Sequence, residues 1–86
     1  MPYIEPKERP PFDKVLDQLK PETLKTKGQL EYCIFKLMKI YMKGQEVRYA
    51  NLHDTVFAAM HCALEYQRRY LDGREDNAML DNGDVE

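Results

Sequence analysis

Residues 27 to 43 form a seventeen-residue run without proline, opened by Thr26-Lys27-Gly28-Gln29 and followed by Gly44. Thr and Gln three positions apart have the spacing of a capping box, and a glycine just past the end is a natural stop. Inside the run, Leu30, Cys33, Ile34, Leu37 and Tyr41 recur at the 3.6-residue period, while Lys39 and Lys43 suit the negative end of a helix dipole. The spacing predicts a helix over 27–43. A second stripe, Leu52, Val56, Ala59, Met60, Ala63, Gln67 and Tyr70, follows Asn51 as a favoured N-cap with Asp54 three residues on. It predicts a helix from about 52 to 71, closed by Asp72-Gly73. Ahead of both, Phe12 to Lys20 reads as a short helix, with Val15, Leu16 and Leu19 on one side and Pro21 at its end. Pro2, Pro6, Pro10 and Pro11 predict an extended arm over residues 1–11, anchored by Tyr3, Ile4 and Phe12.

The expected class is therefore all-α: two long antiparallel helices, a shorter N-terminal helix, a proline-rich arm and an acidic tail. Eighty-six residues allow one domain, here placed at 1–71 with the arm included, followed by a tail at 72–86. Charge divides at the same point. The first 71 residues carry twelve Lys/Arg against nine Asp/Glu, whereas the last fifteen carry Arg74 alone against six acids. Such a tail solubilises the chain, screens its basic body, or docks on it in the same or a neighbouring subunit. With 43% apolar and 33% charged residues the chain is too apolar for disorder and too charged for a membrane span. Met1-Pro2-Tyr3-Ile4-Glu5 lacks the basic and apolar regions of a signal peptide, so the expected location is the cytoplasm, with Cys33 and Cys62 as free thiols.

Both long helices carry apolar arcs wider than one neighbour can cover. Phe35, Met38 and Met42 flank the first stripe; Phe57, Met60, Leu64 and Leu71 flank the second. Three helices in about 60 residues barely offset the cost of ordering the chain, about 1.5 kcal/mol per residue. The expectation is a homo-oligomer, dimer or larger, joined through Phe35, Met38, Met42, Phe57, Met60 and Leu64. The alternative is a monomer whose first helix and arm fold back over the flanks.

Chemistry is sparse. The chain has no serine, no Gly-rich phosphate loop and no zinc-knuckle cysteine pair, so no catalytic residue, metal or cofactor is assigned and the chain is read as a non-enzyme. His61 and Glu65 are four apart, but His53 and Cys62 point away from them, and a structural metal needs about four convergent ligands. Tyr32, Lys36, Lys39 and Lys43 make a basic stripe that suits phosphates but reads more simply as a solvated face. Arg48, Tyr49 and Asn51, together with His61, Arg68 and Arg69, supply forked donors and rings for an anionic planar ligand. The simpler account has Arg69 paired with Glu65 and Tyr49 anchoring the loop.

Several segments have a familiar combination: Met1-Pro2-Tyr3-Ile4 with Arg9 and Asp13, Gly28 to Ile34, Tyr49-Ala50-Asn51, Cys62 to Arg69, Glu75-Asp76, and Asn82-Gly83-Asp84-Val85. Together they resemble a family of short phage-encoded and bacterial proteins with no assigned function, over most of the chain. Members often show Asn-Tyr where Glu31-Tyr32 stands here, and Pro-Tyr where this chain has Gly73-Arg74. The resemblance implies a phage or prophage setting, hence host cytoplasm, and a small non-enzymatic protein that binds a host component, for example in counter-defence. A sponge for a nucleotide-type signal held at subunit interfaces is the second expectation, and a weak nucleic-acid binder the third.

Overall fold

The computed structural model describes residues 2–85. A 3₁₀ turn at Pro6–Glu8 leads into α1 (Pro10–Leu16), then α2 (Lys27–Lys43), α3 (Tyr49–Tyr66), a five-residue π turn at Gln67–Leu71, and α4 (Asp72–Asn82). The expected all-α architecture holds, with one long helix of 34 residues running from Tyr49 to Asn82. No described helix is long and apolar enough to cross a membrane.

α2 keeps the expected bounds because its ends are chemically defined. Thr26 Oγ1 accepts from the Gln29 backbone N–H at 3.1 Å, and Gln29 Oε1 accepts from the Thr26 and Lys25 backbone N–H groups at 3.0 and 2.8 Å. Three donors at the helix start are thereby satisfied. Replacing Thr26 by Ala should cost about 1 kcal/mol of unfolding free energy in urea titrations, and an unchanged midpoint would show that the box contributes nothing.

The other boundaries move. The arm is not extended to residue 11: α1 starts at Pro10, since the first positions of a helix need no intrahelical N–H and proline's fixed φ suits them. It stops at Leu16, not Lys20, and turns over residues 17–23 replace its last part, Lys20 being held out of the α region by Pro21. α3 begins at Tyr49 with Arg48 at the N-cap position, where no side chain caps it. Asn51 is therefore inside the first turn, and its Nδ2 donates to the Glu46 carbonyl at 2.9 Å, closing the connector. Asp72-Gly73 does not close the helix. Residues expected as an acidic tail continue it as α4, which ends at Gly83, the one described residue with positive φ (86°), its N–H donating to Met79 O at 2.7 Å. Gly73 costs a helix interior about 0.8–1 kcal/mol relative to Ala, and an added Cβ would meet nothing within 4 Å. Gly73→Ala should therefore slow amide exchange throughout 72–82 by about fourfold or more.

The connector at 44–48 returns the chain so that α2 and α3 pack as a hairpin. The covered positions along the hairpin are Met38 and Met42 on α2 and Asn51, Thr55 and Ala59 on α3, with Cys33 and Glu65 half-buried further along the two helices; among the described residues only Thr55, at 7% exposure, is buried. Its hydroxyl donates to the Asn51 carbonyl at 2.7 Å. Small or polar residues at steps of four thus form the seam, and the apolar stripes flank it. Among the described residues no apolar side chain is buried. Leu30, Ile34, Leu37 and Tyr41 stand exposed on α2, as do Leu52, Val56 and Met60 on α3. The accessible surface is 8082 Å², against about 5,300 Å² for a compact chain of 10.2 kDa. The radius of gyration is 16.7 Å, against about 12 Å for a compact domain of this length.

Candidate functional site

On α3, Tyr49, His53, Phe57 and His61 recur at steps of four and bring their rings together as a ladder, stacked between His53 and Phe57, tilted at Tyr49 and edge-on at His61. Ring centroids are 5.8 Å apart for Tyr49 and His53, 4.2 Å for His53 and Phe57, and 6.0 Å for Phe57 and His61. Phe57 lies two residues from both Thr55 and Ala59, about 200° around the helix, so the ladder faces away from the hairpin seam. Leu64 extends the same face and is exposed.

A second cluster forms where the arm meets the end of α3. Arg69 Nη1 donates to the Tyr3 hydroxyl at 2.8 Å, and its guanidinium lies 6.0 Å from the Tyr3 ring and 5.3 Å from the Tyr70 ring. The hydrogen bond to Tyr3, first, and its proximity to both phenols raise the Arg69 pKa above its ordinary value. Tyr66 packs on Tyr70 at 4.6 Å. Together with Pro2, Cys62 and Glu65 these residues line an open depression of about 300 Å³. The arm is anchored by Tyr3 as expected, but on a cation rather than on an apolar surface. The π turn beneath it is closed by the Asp72 N–H donating to the Gln67 carbonyl, with Gln67 Nε2 donating to Asp72 Oδ1 at 3.3 Å.

Within one chain the six residues grouped as a ligand set do not converge. Arg48, Tyr49 and Asn51 stand at the start of α3, whereas Arg68 and Arg69 stand about 30 Å further along the axis. Arg48 pairs with Glu46, and Asn51 is spent on the connector. His61 belongs to the ladder. Glu65 takes Arg68, its Oε1 accepting from Nε at 2.7 Å, so the expected Arg69–Glu65 pair gives way to the pair three residues apart. Of the six residues assigned to an interface, Phe35, Phe57, Met60 and Leu64 are exposed, but Met38 and Met42 are half-buried in the hairpin itself. Cys62 is an exposed free thiol, and Cys33 is free and half-buried. The basic stripe on α2 is partly used: Lys36 lies over the Tyr32 ring at 5.8 Å. No three His, Cys, Asp or Glu side chains converge as metal ligands among the described residues.

The ladder's spacing of four is visible in the sequence, but Tyr49 as a loop anchor and His53 as a metal ligand are readings that hide it. The partnership of Tyr3 with Arg69, 66 positions apart, is one for which no local pattern exists.

No curated protein and no solved structure matches the chain. Residues 1–85 match a domain of unknown function, DUF6899, and the chain belongs to that family.

Proposed function

We propose that this chain is a non-enzymatic interaction module whose working form is a homo-oligomer, and that its target is a host component of the cell in which it is made. The observation that carries the reading is that a chain with two well-formed amphipathic helices buries no apolar side chain among its described residues. Its surface exceeds that of a compact chain by about 2,800 Å². A standard stable interface takes about 800 Å² from each partner, so the excess is enough for self-association and for a further partner. The phage setting rests on the resemblance in sequence. Sedimentation equilibrium at about 1–100 μM tests the assembly: a mass that is a multiple of 10.2 kDa is expected, and a monomer throughout overturns it.

A second reading, sequestration of a nucleotide-type ligand, is favoured by Arg69 between the Tyr3 and Tyr70 rings, where a phosphate and a base would find a cation and a stacking face. Nucleotide absorbance that copurifies with the wild type and is lost in Arg69→Ala supports this reading; its absence from both favours the protein partner.

A further inference from the structure

Resting on the oligomeric reading, we propose that the aromatic ladder of α3 is the surface on which a second copy of this chain packs, α3 against α3 in antiparallel register about a twofold axis at Phe57.

The face is unpartnered within the chain. The hairpin covers α3 at Asn51, Thr55 and Ala59, and Phe57 stands on the opposite side, 38% exposed even with His53 stacked on its ring. It is also preorganised, since four rings in consecutive contact have already restricted their rotamers, and ordering them on binding costs little. An isologous contact must be self-complementary, and this face is so in one direction only. With Phe57 on the axis, positions four steps either side oppose one another, bringing His53 over His61 of the second copy. The two ends match in charge as well: Glu46, on the connector ahead of α3, lies eleven steps before Phe57 and Arg68 eleven steps after it, so the exposed acid of one copy meets the exposed guanidinium of the other. Parallel pairing instead sets Arg68 on Arg68, and like charges in register are repulsive. The exposed stripe of α2, Leu30, Ile34, Leu37 and Tyr41, is left free by this arrangement.

Two double variants of equal burden test the surface and the register together. His53→Lys with His61→Lys places like charges opposite one another in the antiparallel dimer, and should raise the dissociation constant by about 30-fold or more, as loss of a hot spot does. His53→Glu with His61→Lys places opposite charges there and should keep the wild-type mass in sedimentation equilibrium. If both variants dissociate with their helical circular dichroism intact, the antiparallel register is overturned. If neither dissociates, the surface is overturned while the oligomeric reading stands. A monomeric wild type fails that reading itself. Independently of charge, Ala50→Cys with Leu64→Cys, in a chain whose Cys33 and Cys62 are changed to Ala, should oxidise to a covalent dimer. Only antiparallel pairing about Phe57 brings positions 50 and 64 of two copies together, and failure to cross-link a dimer of wild-type mass overturns the register.

Discussion

Diluted a hundredfold, from about 100 to 1 μM, the protein should melt about 5–10 °C lower by far-ultraviolet circular dichroism. Association stabilises a folded dimer by mass action, and a hundredfold change in concentration corresponds to about 2.7 kcal/mol. Spread over the unfolding entropy of two chains of this size, that gives about 2–4 °C per kcal/mol. The effect follows from the exposure of both apolar stripes, since burial of the lone hairpin is too small to order 86 residues without help. A melting temperature independent of concentration, together with a single cooperative transition, would show that the hairpin is stable by itself.

Thr55 is the second place where a large effect is expected. Its side chain occupies the most covered point of the seam, so Thr55→Glu sets an unpaired carboxylate between α2 and α3 and should cost about 3 kcal/mol or more. That is a large share of what a small domain possesses, and loss of cooperative unfolding in urea is the expected result. Thr55→Val keeps the shape and the β-branch while removing only the hydroxyl that donates to the Asn51 carbonyl. The carbonyl retains its helical partner, and the change should stay within about 1 kcal/mol. Equal losses in the two variants would mean that the hydroxyl, not the closeness of the helices, determines the site.

These two predictions mark where sequence and structure part. α2 was legible to the residue, because Thr26, Gln29 and Gly44 act locally and nothing distant competes with them. The stripes were equally legible as apolar faces, yet periodicity says only that a face is apolar, never what covers it. The hairpin closes along Asn51, Thr55 and Ala59, where small side chains allow the helices together, and leaves Leu52, Val56 and Met60 to the outside. Gly73 misled for a related reason: a glycine can stop a helix but does not have to, and the stronger stop came ten residues later at Asn82-Gly83. For the candidate site, arginines and rings are legible by type, but within one chain the rise of 1.5 Å per residue sets Arg48 far from Arg68. The ladder was legible in principle, since steps of four along one helix place rings one above the other.

The π turn bears on what the long helix can transmit along its length. One extra residue per turn at Gln67–Leu71 dislocates the phase of the helix, so the ring ladder's line of fours through residues 49, 53, 57 and 61 does not continue onto α4. The turn takes up one residue, so each side chain of α4 stands about 100° from where an unbroken α-helix would carry it, and a chain shortened by one residue within 67–71 would keep α3 and α4 in their present relation while losing the turn.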